Sequence, residues 1–155
     1  MMENINVLYV DDELNNLEAF KANFRHFYNV FTAESADSAR TILVSHEIHV
    51  LITDQKMPVT AGTQLLEQAI KVYPQQTRIL LTAYAENDAI IDAFQRGLIF
   101  KYVLKPYSPE ALKEIIDSAY EVYTLKQIKE QLYREWLKTR EELNLLRLKT
   151  ETLKL

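Results

Sequence analysis

The chain contains no cysteine, which excludes disulfides and thiolate metal sites together. Only two glycines occur, Gly62 and Gly97, so a glycine-rich loop cradling phosphates is excluded as well. No uninterrupted apolar run approaches the roughly 18 residues of a membrane-spanning helix. The opening "MMENINVLYV" lacks the basic segment and long apolar stretch of a secretory signal. A cytoplasmic protein is the expectation. A basic patch is missing too: residues 1–118 hold 16 acids against 10 bases, and the 8 bases of residues 119–155 are interleaved with 6 acids. Direct nucleic-acid binding by residues 1–120 is therefore not expected. The three histidines, His26, His46 and His49, are scattered without ligand spacing and read as structural or surface residues.

What is present is a soluble, core-forming composition, 48% apolar and 26% charged over 155 residues. Four short runs rich in β-branched residues or leucine stand out: "INVLYV" (5–10), "VLIT" (50–53), "RILLT" (78–82) and "KYVL" (101–104), with a weaker fifth, "YNVFTA" (28–33). Between them, apolar residues recur at helical spacing, as in Leu14, Leu17, Phe20 and Phe24, or Leu65, Leu66, Ala69 and Ile70. Ser35 and the Ser108-Pro109-Glu110 segment supply helix-start chemistry. Five alternations of strand and helix, with apolar strands that lack polar alternation, predict a parallel sheet covered by helices on both faces.

In such sheets ligands collect at the carboxyl ends of the strands. The residues predicted there are Asp11 and Asp12 after the first strand, Asp54 after the third, Thr82 at the end of the fourth and Lys105 after the fifth. Two carboxylates about 4 Å apart repel by roughly 4 kcal/mol at an effective dielectric near 20. Three of them converging call for a cation, and an all-oxygen set without His or Cys suits Mg²⁺. A divalent ion, a lysine and a hydroxyl around one carboxylate are the fittings of phosphoryl transfer, with Asp54 as nucleophile.

The set "YVDDE" (9–13), "LITDQKMP" (51–58) with Gly62 following, "LLTAYA" (80–85) and "YVLKP" (102–106) resembles the receiver domain of two-component response regulators, over roughly residues 4–120. The resemblance implies a flavodoxin-like, doubly wound five-stranded sheet in the order 2-1-3-4-5. It implies Asp54 as phosphoacceptor from a sensor histidine kinase or phosphotransfer protein. It further implies Mg²⁺ held by Asp11, Asp12, Asp54 and the backbone carbonyl of Lys56, with Lys105 pairing with the phosphoryl oxygens. Thr82 would bond a phosphoryl oxygen, Tyr102 matches the switch aromatic, and Pro106 matches a proline whose preceding bond is usually cis. Lys56 and Tyr84 occupy positions that vary within the family, so the lifetime of a phosphorylated state is not set by the motif.

From Ala111 to Leu155 there is neither Gly nor Pro, so the last helix is expected to run beyond the domain, dividing the chain into 1–120 and 121–155. A heptad through Val122, Leu125, Lys129, Leu132, Trp136, Thr139, Leu143, Leu146, Thr150 and Leu153 is apolar at seven of ten core positions. Flanking pairs Glu121–Lys126, Glu135–Arg140 and Glu142–Arg147 are opposite in sign across a parallel partner, and Lys149–Lys154 alone is repulsive. The expectation is a parallel homodimeric coiled coil about 50 Å long, leading to a C-terminal effector domain. Two other readings share the site: a receiver-like dimerisation scaffold without phosphotransfer, and a metal-dependent phosphatase. The phosphatase usually wants a second acid two residues after its nucleophile, where this chain has Lys56.

Overall fold

The computed structural model describes residues 4–84 and 87–154; Ala85, the last residue of the "LLTAYA" motif, lies outside them. The chain divides into two units, Met1–Tyr123 and Thr124–Leu155. In the first, five strands alternate with helices: β1 Asn6–Val10, α1 Leu14–Phe24, β2 Asn29–Ala33, α2 Ala36–Ser45, β3 Val50–Asp54, α3 Gly62–Val72, β4 Thr77–Thr82, α4 Asp88–Gln95, β5 Lys101–Leu104 and α5 Pro109–Leu153. All strands pair in parallel, in the order β2-β1-β3-β4-β5.

Successive strand residues point to opposite faces, and two apolar cores result. On one face Leu8, Val10, Leu51 and Leu80 pack with Ala39 and Leu43 of α2, Leu65 and Leu66 of α3 and Ile90 of α4. On the other, Val7, Tyr9, Val50, Ile52, Ile79 and Leu81 pack with Leu17, Phe20 and Phe24 of α1 and Leu112, Ile116 and Ala119 of α5. The central strands β1, β3 and β4 are thus buried on both sides. The edge strands are not: β5 exposes Lys101, Tyr102 and Leu104 and only half-buries Val103. Its sequence, "KYVL", does not betray that difference.

Helix starts follow local chemistry. Ser35 caps α2 through its side chain, which accepts the Ser38 N–H in a reciprocal capping box. Pro109 opens α5, where its missing N–H costs nothing, and Ser108 Oγ accepts the Ala111 N–H. The helical stripe of α1 begins at Leu17 instead of Leu14, which is 55% exposed.

Helix α5 runs from the carboxyl end of the sheet, near Lys105, to the amino end. There Tyr120 and Tyr123 pack against the His49 ring, with centroids 5.3 and 4.8 Å away, and the Tyr123 hydroxyl donates to Glu47 at 2.7 Å. His49 Nδ1 accepts the Asn6 N–H at 2.9 Å. These contacts carry the compact unit to Tyr123. The second unit, Thr124–Leu155, is helical as far as Leu153. Its apolar heptad residues are open to solvent: Leu125, Leu132, Trp136, Leu143, Leu146 and Leu153 are each at least half exposed. Within it, Tyr133 stacks on Trp136 and the Arg140 guanidinium lies 5.4 Å from the Trp136 ring.

Candidate functional site

The pleat carries three functional side chains to one corner. Along β1, Val7 and Tyr9 face the α1/α5 core, so Asp11, two residues on, continues that face. The same parity takes Ile52 to Asp54 and Val103 to Lys105. Lys105 is held between the two acids: its Nζ lies 2.9 Å from Asp54 Oδ1 and 3.2 Å from Asp11 Oδ2. The group is shielded, with side-chain exposures of 1% for Asp11, 13% for Asp54 and 23% for Lys105.

Asp11 is saturated with donors. Its Oδ1 accepts the Glu13 N–H at 2.9 Å. Its Oδ2 accepts the Tyr9 hydroxyl at 2.6 Å and the Asn16 amide at 3.1 Å, besides Lys105. Asp12 is exposed, and one oxygen from each of Asp11, Asp12 and Asp54 lies within 4.8 Å of the other two. Glu13, third in the acidic run, serves instead as the N-cap residue of α1 and bonds Asn16.

The electrostatics of the corner are asymmetric. Burial alone pushes the Asp11 carboxyl up; the bonds from Tyr9 and the Glu13 N–H, together with Lys105, outweigh it and leave Asp11 below the usual carboxylate range. Burial also pushes Asp54 up, and here Lys105 falls short of offsetting burial and the Asp11 charge, so its carboxyl stays above that range. Burial lowers Lys105, but its two carboxylate partners more than compensate and raise it. Both acids share one ammonium, and the difference lies in the other donors: Asp11 also receives the Tyr9 hydroxyl and the Glu13 N–H, while the lysine gains from both carboxylates.

Three carboxylates and one ammonium leave a formal charge of −2, which a divalent cation neutralises. The donor atoms are all oxygens, the choice of a hard ion. The residues therefore fit Mg²⁺. Asp54 and Lys105 open onto a cavity of about 570 Å³ whose lining also includes Lys56, Met57, Thr82, Ala83 and Tyr84, which is room for a phosphoryl group above Asp54. Gly62 closes the back of the site: its N–H bonds the Gln55 carbonyl at 3.0 Å, and a Cβ there would collide with the Asp54 carbonyl.

A family model described as the response regulator receiver domain matches residues 7–117. The chain belongs to this family. Its relatives include the chemotaxis protein CheY of Pseudomonas aeruginosa, 33% identical over 122 residues that cover 74% of this chain and 95% of the relative. The hydrogenase transcriptional regulatory protein HoxA of Cupriavidus necator is 32% identical over 120 residues, 77% of this chain but 25% of its own; the chain spans about a quarter of the length of such regulators. Among solved structures, a chain titled adenylate cyclase from Rhodopirellula baltica superposes with a TM-score of 0.81 at 26% identity, over 85% of this chain and 98% of its own. The response regulator TrrA from Thermotoga maritima, solved with Mg²⁺ and BeF, gives a TM-score of 0.67 at 28% identity over 74% of this chain and 98% of its own. Receiver domains are signalling modules that bind Mg²⁺ at an acidic pocket, and they act with sensor kinases.

In this receiver domain the remaining residues of interest lie on β4, β5 and the turn after β5. Thr82 is buried at the end of β4, and its hydroxyl accepts the Tyr84 N–H and donates to the Tyr84 carbonyl, both at 3.1 Å. Tyr102 stands 40% exposed on β5 with its ring edge-on to Phe94 at 6.5 Å. The Lys105–Pro106 peptide bond is cis. Two residues that reading the motifs missed are Tyr9 and Asn16, both donors to Asp11. Tyr9 carried a usable signal, since it lies two residues before Asp11 and shares its face of the strand; Asn16 offered only its place in the first turn of α1. Among the described residues no helix is long and apolar enough to cross a membrane.

Proposed function

We infer that this receiver domain takes a phosphoryl group onto Asp54 from the phosphohistidine of a sensor histidine kinase or phosphotransfer protein. A carboxylate oxygen of Asp54 attacks phosphorus as the P–N bond breaks, and the departing imidazole keeps the electron pair. Lys105, 2.9 Å from the same carboxylate, neutralises charge on the incoming phosphoryl oxygens. Mg²⁺, held by Asp11, Asp12, Asp54 and the Lys56 carbonyl, supplies the balancing positive charge when bound. The observation that carries this reading is the convergence of Asp11, Asp12 and Asp54 within 4.8 Å around one shared lysine.

Phosphorylation then shifts an existing equilibrium. Thr82 leaves its bonds to Tyr84 for a phosphoryl oxygen, and Tyr102 on the neighbouring strand repacks with it, guided by the turn at Pro106. Helix α5 passes the change to a parallel homodimer through residues 121–155 and on to an effector. The solvent-facing apolar heptad residues and the ordered signs of Glu135–Arg140 and Glu142–Arg147 support the dimer. The phosphoryl chemistry is self-catalysed and serves signalling, not metabolism.

The test is intact-protein mass after incubation with Mg²⁺ and a small acyl phosphate. Wild type should gain ~80 Da, the mass of one phosphoryl group, and Asp54→Asn should gain nothing. A wild type that stays unmodified would instead support the scaffold reading.

A further inference from the structure

We propose that Tyr9 is a positioning residue of the cation site, its hydroxyl fixing the Asp11 carboxylate in the orientation that Mg²⁺ requires. This rests on the phosphoacceptor reading above and extends it to a residue outside the acidic motif.

The hydrogen bond from Tyr9 to Asp11 Oδ2, at 2.6 Å, is the shortest of the four that Asp11 accepts. It is also the most enclosed, because Tyr9 and Asp11 are 1% and 0% exposed. The Tyr9 ring is wedged against Phe20, centroids 4.5 Å apart, and Phe20 against Phe24 at 4.6 Å. The hydroxyl thus reaches Asp11 from a rigid aromatic stack and not from a mobile arm. The other side-chain donors have divided duties: Lys105 also binds Asp54, and Asn16 also bonds Glu13. Among the described donors only Tyr9 commits its side-chain donor to Asp11 alone. An outer hydrogen bond that sets the orientation of a ligating group typically accounts for ~10- to 100-fold in metal affinity. An aliphatic residue at position 9 would fill the core but remove the one side-chain donor given to the carboxylate undivided, leaving its orientation to the Glu13 N–H, Asn16 and Lys105.

The experiment uses the full chain and the Tyr9→Phe variant, which keeps the ring and deletes the oxygen. Mg²⁺ alone is titrated calorimetrically, and the rate of Asp54 phosphorylation by a small acyl phosphate is followed as a function of Mg²⁺. We expect the Mg²⁺ dissociation constant and the half-saturating Mg²⁺ concentration to rise about tenfold, while the rate at saturating Mg²⁺ holds within about twofold. A purely structural role would lower thermal stability and leave the half-saturation point in place, and that result overturns the proposal. Tighter binding by the variant overturns it too, because the hydroxyl would then be competing with the metal. Wild type provides an independent check: the Tyr9 hydroxyl proton should give a slowly exchanging NMR resonance that shifts when Mg²⁺ is added. A resonance indifferent to Mg²⁺ overturns the proposal even if the variant does not fold. If Mg²⁺ binds and responds to Tyr9→Phe while Asp54 never becomes phosphorylated, the positioning role stands and the phosphoacceptor reading falls.

Discussion

Replacing Gly62 with alanine should separate the geometry of the site from the stability of the fold. The added methyl would meet the Asp54 carbonyl oxygen well inside 3.0 Å, with the carbonyl carbon and Gln55 Cα at 3.0 Å. All three are backbone atoms, so no side chain can swing aside. Restoring ordinary contact requires a relative movement of roughly 1 Å between the start of α3 and the end of β3, and β3 carries Asp54, the proposed phosphoacceptor. Overpacking of this kind costs roughly 1–3 kcal/mol, which at ~4 °C per kcal/mol lowers Tm by about 4–12 °C. A displacement of that size at a reacting group costs about 100-fold in rate. The control is the chain's other glycine. Gly97 has φ +71°, and a methyl added there would meet nothing within 4 Å, so Gly97→Ala meets backbone strain of about 1–2 kcal/mol but leaves Asp54 untouched. Both variants should melt early, and only Gly62→Ala should phosphorylate slowly, measured by mass spectrometry under conditions where each remains folded. Phosphorylation of Gly62→Ala at the wild-type rate, or equal slowing in both variants, would refute the reasoning.

Three further outcomes follow from the same structure. The folded-state pKa of Asp54 is raised, so its ionised form destabilises the fold at neutral pH, and that penalty disappears as pH falls through the folded pKa and below the unfolded value of about 3.9. Without Mg²⁺, Asp54→Asn should therefore melt above wild type at pH 7, with the gap closing by about pH 3; a gap that widens on acidification contradicts the assignment. Asp11 has the opposite sign: its pKa is lowered, so its stabilisation is present above the unfolded pKa and is lost as pH falls through the folded one. Mg²⁺ at 100 times its dissociation constant should stabilise wild type by about 2.7 kcal/mol, roughly 10 °C, and should not stabilise Asp12→Ala; an equal shift in both proteins would place the ion elsewhere. In the tail, Leu132→Asp together with Leu143→Asp should convert a sedimenting dimer to monomer with an affinity loss of more than about 100-fold, whereas a wild-type chain that sediments as a monomer would remove the dimer from the account.

The fold was legible because its signals were redundant. Apolar runs without alternation marked β1, β3 and β4 as interior strands, and the acids, threonine and lysine at the strand ends stood out against them. What stayed hidden was mostly tertiary. "KYVL" has the composition of an interior strand, and its own residues do not tell that it lies at an edge; the order 2-1-3-4-5 implied by the family resemblance does. Leu14 fits the α1 stripe by spacing but precedes the first turn that meets the sheet. Tyr9 looked like one more apolar residue in "INVLYV", because a tyrosine hydroxyl becomes functional only when a partner is placed against it. The end of the compact unit at Tyr123 depended on His49 and Glu47, more than seventy residues earlier in the chain, which no local pattern connects to α5.

The path of α5 has a mechanical consequence. Its first turn begins at Pro109, four residues beyond Lys105, and its last packed turn, at Tyr120 and Tyr123, presses on His49 and Glu47 at the opposite pole of the sheet. No hinge or loop interrupts the shaft between them. One unbroken helix thus joins the two poles of the sheet, with the aromatic pair as its bearing at the far one, so a substitution that loosens the bearing should weaken the packing there and leave the Lys105 corner in place.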